Sequence, residues 1–592
     1  MNVLDIIKNE IRKSSMWKYV RRYLMFAILA AVFMFCEVLM DLLQPEIMSR
    51  IVDEGVLGAG HDGVGDLNLI WSLGLRMICL VLVGGLCGSL NNAFVHMTAQ
   101  NIGNEMRKDA FRNIMTFSFP QVDRFGTGSL VTRVTNDITQ VQNFVSLFVR
   151  GMIRTSMLMF GSMYFMFRLN HQFGLIVLCA FPFIVGCLAF CLSKANPLFS
   201  RLQAQLDRIN SIMQEDVSGI RIIKACVREL YEKVRFGKAN DDLIKTQLRV
   251  LTIFAFMNPV VNALMYVVVA VVLLAGSYEV SAGVTTPGVI MAAITYTTQL
   301  LNGILMLNML FQGISRGYAS WKRVRELLDC QPQLRDGDSE SKGDVRGQVE
   351  FRDVSFTYPG SGKKVLDHVS LTIRPGETLA IMGATGSGKT TLVSLIPRFY
   401  DVAEGSILID GLDVRDYALK DLRGRVAIAL QKSELFSQTI GENIAWGRPA
   451  ADDVSIQRAA QIAQAEDFIV SAPDGYDTMV AQGGTSLSGG QKQRVSIARA
   501  ILKDAEILIF DDSTSALDLK TEANLYAALK RENPGSTKII VAQRIASVRH
   551  ADRIAVLENG RISACGSHEE LMACCKTYRD ICDSQMGKEE LA

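Results

Sequence analysis

The chain has 592 residues, 62 Lys plus Arg against 60 Asp plus Glu, 49% hydrophobic residues and a mean hydropathy of +0.21. It is too long for one ordinary domain, too apolar for a wholly soluble protein, and with 21% charged residues too polar for a purely embedded one. The net charge of +2 argues against nucleic acid as a partner, which calls for a basic face.

The 12 cysteines show no metal-type pairing. Cys574 and Cys575 are adjacent, a poor geometry for a metal site or a common disulfide, so the thiols read as reduced. Met1–Lys18 is amphipathic and basic, without the apolar core or small-residue cleavage site of a signal peptide. It reads as a cytoplasmic segment spanning 1–18.

Residues 19–330 carry apolar segments of bilayer-crossing length (about 20 residues). They fall near Arg22–Gln44, Leu69–Phe94, Phe144–Phe167, Phe173–Leu192, Ile253–Tyr278 and Pro287–Phe311. Lys8, Arg12, Lys13, Lys18, Arg21 and Arg22 precede the first crossing and place the N-terminus in the cytoplasm. An even number of crossings returns the chain there, so the sequence predicts a multi-pass protein of the cell membrane. The outward segment Asp53–Asp66 is glycine-rich and expected to be flexible.

Two polar segments, Gln100–Asn143 and Ser193–Val250, predict membrane helices that continue into the cytoplasm. They should turn back near Ser118–Asp123 and Val217–Arg221, where Pro or Gly interrupts the pattern. Such hairpins are either solvated or act as levers docking on a second domain. In the first crossing Glu37 and Asp41 share one helical face, with Gln44 close to it. Carboxylates at membrane depth are costly. They fix packing through Arg76, Arg150 or Arg154, or they form a cation-attracting cavity wall.

A polar linker, Gln331–Gly347, leads to residues 348–592. Val349–Phe356 alternates as a strand. Leu379–Met382 reads as a buried strand running into Gly383-Ala-Thr-Gly-Ser-Gly-Lys-Thr390. There Gly383, Gly386 and Gly388 let backbone N–H groups wrap phosphates at a helix N-terminus. Lys389 should reach the β- and γ-phosphates of ATP and Thr390 should ligate Mg2+; Thr385, Ser387 and Thr391 complete the loop. Downstream, an apolar strand from Ile507 ends at Asp511, whose carboxylate is a second Mg2+ ligand.

Leu487-Ser488-Gly489-Gly490-Gln491 and Ile507–Asp518 (ILIFDDSTSALD) complete a pattern. With the phosphate loop they make the whole chain resemble an ABC exporter half-transporter. The resemblance implies an all-α polytopic membrane domain of six long helices, then an α/β P-loop ATPase with an added β-subdomain and a helical subdomain. It also implies two cassettes sandwiching two ATP molecules head to tail. Tyr358 then matches the aromatic stacking on adenine, and Gln431 the glutamine contacting Mg2+. Leu487–Gln491 match the signature gripping the partner's ATP, Asp518 the loop between the two sites, and the tips near Pro120 and Gly219 the coupling helices.

Asp512 departs from the family pattern where a catalytic glutamate is usual, Gln543 where a histidine contacts the γ-phosphate, and Gln482 where a glutamate precedes the signature. In this the chain is similar to the degenerate-site subunit of bacterial heterodimeric multidrug-type exporters. The implied partner is a second, non-identical half-transporter, and the implied cargo an amphipathic small molecule, lipid or peptide. The alternatives are a homodimeric lipid or drug flippase and an ATP-gated regulatory protein.

Overall fold

A computed structural model of the protein describes residues 16–58, 65–339 and 347–589. Most of the 1–18 segment, with Lys8, Arg12 and Lys13, lies outside the described residues. So do 59–64 of the outward segment and 340–346 of the linker. The chain divides into two compact units, one of Met1–Ile114 with Gly128–Cys330, the other of Met115–Thr127 with Gln331–Ala592.

The first unit is helical: α1 (Met16–Arg22), α2 (Leu24–Arg50) and α3 (Leu67–Met115) precede the short α4 (Phe119–Phe125) of the other unit. After it come α5 (Thr127–Leu169), α6 (His171–Ser218), α7 (Ile220–Ala225), α8 (Glu229–Ser281) and α9 (Pro287–Leu328). Helices α2, α3, α5, α6 and α8 are long and apolar enough to cross a membrane. Helix α9 has 42 residues, but Thr295, Thr297 and Thr298 dilute its apolar run. Their hydroxyls donate to carbonyls one turn back at 3.0, 2.8 and 3.0 Å, so the helix satisfies them itself.

Helix α3 runs for 49 residues, about 70 Å at 1.5 Å per residue, more than twice a bilayer core. The polar ends of α3, α6 and α8 are therefore extensions beyond the membrane. Tyr19 Oη donates to Asp109 at 2.9 Å and Arg22 to Glu105 at 3.0 Å, which straps α1 along the extension of α3.

Helix α2 passes the expected end at Gln44, takes Pro45 inside, and continues as a π-helical turn over Ile51–Val56. The expectation of a flexible segment beginning at Asp53 is corrected here. Asp53 is buried and accepts from Ser49 Oγ at 3.1 Å, Thr286 Oγ1 at 2.6 Å and the Gly288 N–H at 2.7 Å. Its carboxylate thus satisfies an orphan donor at the start of α9.

The second unit holds two sheets. The larger has the order β10-β9-β3-β8-β7-β6, with β3 (Thr378–Met382), β6 (Val426–Ala429), β7 (Ile507–Asp511), β8 (Thr537–Val541) and β9 (Arg553–Glu558) parallel. β10 (Arg561–Gly566) closes its edge antiparallel. The smaller antiparallel sheet, β2-β1-β4-β5, uses β1 (Val349–Phe356), β2 (Leu366–Ile373), β4 (Glu404–Ile409) and β5 (Leu412–Asp413). Strands β3, β7 and β8 are near-continuous apolar runs, as parallel strands covered on both faces must be.

Short helices between β6 and β7 form the helical part, ending in α11 (Gly489–Leu502); α10 (Lys389–Ser394) follows β3. Residues 331–339 are not a free linker: Ser339 N–H donates to Asp416 O and the Leu419 N–H to Asp336 Oδ1, at 3.0 and 2.6 Å.

Helix α4 starts at Ser118 through a capping box with Gln121 and has Pro120 in its first turn. Its Phe119 ring lies 4.4 Å from that of Phe399, and Asp123 accepts from Tyr400 Oη at 2.8 Å. In the first unit, α7 buries none of its residues, and Val217, Ile222 and Val227 are 67%, 69% and 80% exposed.

Candidate nucleotide site

Strand β3 delivers the loop Gly383–Gly388 to the N-terminus of α10. Gly383, Gly386 and Gly388 all have positive φ, at 151°, 82° and 104°, a path that a side-chain-bearing residue adopts only with strain. Lys389 is buried, and its Nζ donates to the carbonyls of Gly383 and Ala384 at 2.8 Å each. Burial lowers its pKa, while Asp512 and Asp511 pull the other way. Ser387 is 7% exposed and its Oγ has no hydrogen-bond partner among the described residues. A buried hydroxyl without a partner fits a loop shaped for phosphate oxygens.

Thr390 Oγ1 donates to Asp511 Oδ1 at 3.0 Å. Burial raises the Asp511 pKa and the Asp512 charge raises it further, against the Thr390 hydrogen bond and Lys389. A desolvated carboxylate beside a hydroxyl is a hard oxygen donor pair, the kind Mg2+ accepts alongside phosphate and water. Tyr358 Oη and Thr391 Oγ1 are 3.0 Å apart, and the Tyr358 ring stands edge-on to that of Tyr400, with centroids 5.2 Å apart.

Asp512 follows the strand end in the left-handed region, φ 48°, with its N–H on Val541 O at 3.0 Å. Its Oδ2 accepts from Gln431 Nε2 and from Gln543 Nε2, both at 3.1 Å. Asp512 and Gln543, both departures from the family pattern, are thus joined to each other and to Gln431 around one carboxylate oxygen.

Ser488 caps α11 reciprocally with Gln491: Gln491 Oε1 accepts from the Ser488 N–H at 2.8 Å, and Ser488 Oγ from the Gln491 N–H at 3.4 Å. Leu487, Gly489 and Gly490 therefore sit at the positive end of a 14-residue helix. Gln493, not foreseen from the sequence, ties this helix to the segment after Asp512. Its Nε2 donates to Ser515 Oγ at 3.1 Å and its Oε1 accepts from the Ala516 N–H at 2.9 Å. Asp518 caps α12 (Leu519–Glu532) through the Thr521 N–H at 2.9 Å. Gln482 lies in a short turn whose next residue, Gly483, has φ 64°.

The family model for the ABC transporter transmembrane region matches residues 10–304, and the ABC transporter model matches 366–515. The chain is an ABC exporter half-transporter. It is 37% identical over 575 residues to the uncharacterized ABC transporter ATP-binding protein YfiB of Bacillus subtilis, covering 96% of this chain and 98% of that one. It is 36% identical over 500 residues to an ATP-dependent lipid A-core flippase of Syntrophus aciditrophicus, covering 84% and 83% of the two chains. A solved structure of a bacterial Atm1-family ABC exporter with ATP bound is similar at 26% identity, TM-score 0.78, covering 96% and 98%.

Within the exporter's membrane unit, Arg154 answers both acidic residues of α2. It bonds Glu37 closely and donates from Nη2 to Asp41 Oδ2 at 3.2 Å. Of the three arginines considered from the sequence, Arg154 makes the pair. Arg150, together with Arg154, lines a cavity of about 440 Å³ with His96, Gln100 and Gln142. Its charged side chains are basic, not acidic.

Proposed function

We propose that this exporter works as the weak-site member of a pair with a non-identical half-transporter. ATP binds its phosphate loop with Mg2+ held by Thr390, Asp511 and Gln431, and Tyr358 covers the adenine. The signature Leu487–Gln491 completes the partner's competent site. The single observation that carries the reading is the clamp on Asp512. Its side chain is one methylene shorter than the usual glutamate, about 1.5 Å of reach, and Gln431 and Gln543 both hold its Oδ2. A carboxylate so held is short of the reach and turned by two amides away from the position of the usual base, and Gln543 offers an amide where a histidine would offer a cationic donor.

Residues 19–330 form the membrane domain and 348–592 the cytoplasmic ATPase, with the N-terminus on the same side. The bare apolar tip at α7 supports docking on a partner's ATPase domain, since exposed apolar clusters mark interaction sites. The cargo is an amphipathic molecule leaving the cytoplasm. Glu37 and Asp41 both pair with Arg154 and serve packing, and at the neighbouring cavity Arg150 can meet an anionic head group.

The test is ATPase rate in nanodiscs, chain alone against chain co-assembled with a half-transporter carrying glutamate and histidine at the matching positions. A rate for the pair at least tenfold higher supports the reading. A second reading, a homodimeric flippase, is favoured by the names of the lipid A-core flippase relatives at 33–36% identity. Equal rates, with lipid translocation by the chain alone, would establish that reading instead.

A further inference from the structure

Gln543 lies just ahead of α13 (Ile545–Val548), a helix whose N-cap residue, Arg544, makes no side-chain cap. The first N–H groups of a helix have no partner within it. Here the Ile545 N–H donates to Gln585 Oε1 at 2.8 Å, and Gln585 Nε2 donates to the Gln543 carbonyl, also at 2.8 Å. One side-chain amide thus takes both backbone groups that flank Arg544, the acceptor before it and the donor after it. Only one orientation of the amide satisfies both.

Gln585 belongs to α14 (Lys576–Glu589). Tyr578, Cys582 and Gln585 are spaced i, i+4 and i+7 and share one face of that helix. Tyr578 and Cys582 are fully buried in the same apolar core as Ile545 and Val548. Tyr578 Oη also lies 2.7 Å from His568 Nδ1. This packing carries Gln585 to the turn between β8 and α13. On the other side of the turn, Arg544 donates to Leu517 O at 2.9 Å and to Ser515 O at 3.1 Å. The Gln543 backbone is pinned on two sides, and its side chain reaches Asp512 Oδ2.

We propose that Gln585 is a positioning residue for the nucleotide site. Through the Gln543 carbonyl and the Ile545 N–H it holds the Gln543 amide where the γ-phosphate of ATP binds. This rests on the part of the proposed function that sets Gln543 in the place of a γ-phosphate-contacting histidine. Without Gln585 the turn samples other directions, and apparent affinity falls with the fraction of molecules still able to meet the γ-phosphate. ADP lacks that phosphate, so the loss is selective for the triphosphate. A C-terminal helix that only stabilised the domain would affect both nucleotides alike.

The experiment uses the full chain in lipid nanodiscs and measures dissociation constants for Mg-AMPPNP and Mg-ADP by displacement of a fluorescent nucleotide. Gln585→Met keeps the side-chain length and removes both polar partners. It should raise the Mg-AMPPNP constant ~3–10-fold, about the worth of one neutral hydrogen bond, and the Mg-ADP constant by less than ~2-fold. Gln585→Glu sets a carboxylate oxygen against the Gln543 carbonyl and should cost at least as much. Gln543→Ala should show the same selectivity, and adding Gln585→Met to it should change nothing further. Tyr578→Phe, which removes only the His568 contact from α14, should leave both constants unchanged. Equal losses for the two nucleotides in Gln585→Met, a further loss on top of Gln543→Ala, or the same selective loss in Tyr578→Phe overturns the proposal. Selectivity in Gln543→Ala but not in Gln585→Met overturns it and leaves the γ-phosphate role of Gln543 standing. No selectivity in Gln543→Ala overturns both.

Discussion

Gln543 Nε2 donates to Asp512 Oδ2 at 3.1 Å, so two departures from the usual cassette sequence meet in one hydrogen bond. An amide in this position does two things at once. It occupies a lone pair on Oδ2 and fixes the orientation of the short carboxylate, and it withholds the charge a histidine would bring to the γ-phosphate.

Restoring hydrolysis in the chain alone should therefore need both changes. Asp512→Glu lengthens the carboxylate but leaves the Gln543 amide to capture it. Gln543→His frees the carboxylate but leaves it short. A positioned base is worth ~10²–10⁴-fold, so the double substitution should raise ATPase by at least ~10-fold beyond the product of the single effects. A double-mutant cycle on turnover in nanodiscs reads the coupling directly. Strict additivity would mean that the two residues act separately.

The assembled pair should respond unequally to lesions in the phosphate loop and the signature. Ser488→Arg puts a bulky cation at the α11 N-terminus and removes the capping hydroxyl, spoiling the partner's site. Loss of one preorganised phosphate contact costs ~10²–10³-fold in turnover. Lys389→Ala touches this chain's own weak site and should lower pair turnover by less than ~3-fold, since that site contributes little base catalysis. Steady-state phosphate release from the two variant pairs measures the difference, and matched losses would make the sites equivalent.

Much of this was legible in the sequence, because the relevant signals are local. The glycine spacing of Gly383–Gly388 specifies a backbone path, the apolar run Ile507–Phe510 a buried strand, and Pro120 and Gly219 the two helix breaks. What escaped the sequence were contacts between distant residues with no motif of their own. Tyr400 reads as one aromatic at a loop end, yet it bonds Asp123, 277 positions earlier. Glu522 reads as an ordinary helical glutamate, yet it is buried because Thr514 and Ser547 come from segments that meet only in the folded sheet. Asp53 looked like part of a glycine-rich loop, because its partners Thr286 and Gly288 belong to α9.

The Arg154 pair makes a prediction about stability. Arg154→Met should strand Glu37 and Asp41; breaking a fully buried ion pair by removing one partner costs about 3–5 kcal/mol, and with these side chains 13–32% exposed the loss should fall below that range. The melting temperature in detergent should fall sharply. Adding Glu37→Gln and Asp41→Asn to Arg154→Met removes the stranded charges and should recover most of the loss. A triple variant no more stable than Arg154→Met would show that the carboxylates answer to something other than Arg154.

The last prediction concerns Tyr400, whose hydroxyl bonds Asp123 of α4 at 2.8 Å while its ring stands edge-on to Tyr358. One side chain thus joins the α4 tip to the aromatic proposed to cover adenine. Tyr400→Phe keeps the ring and removes only the hydrogen bond, a loss of about 0.5–1.5 kcal/mol. It should leave ATP affinity unchanged and reduce substrate stimulation of ATPase in the pair by ~2–10-fold, the factor that free energy represents. Tyr400→Ala also strips the ring from Tyr358 and should weaken ATP binding as well. Burial and the Asp123 hydrogen bond both raise the Tyr400 pKa above its ordinary value of 10.0. The neutral, donating phenol is therefore favoured in the fold, and its stabilising contribution is complete below pH 10 and lost only as pH rises through the higher folded value. Substrate stimulation in the wild type should accordingly show no loss attributable to this contact between pH 7 and 9. Measured with ATP titrations and stimulated turnover on both variants, equal effects of Phe and Ala on ATP affinity would separate Tyr400 from the nucleotide site.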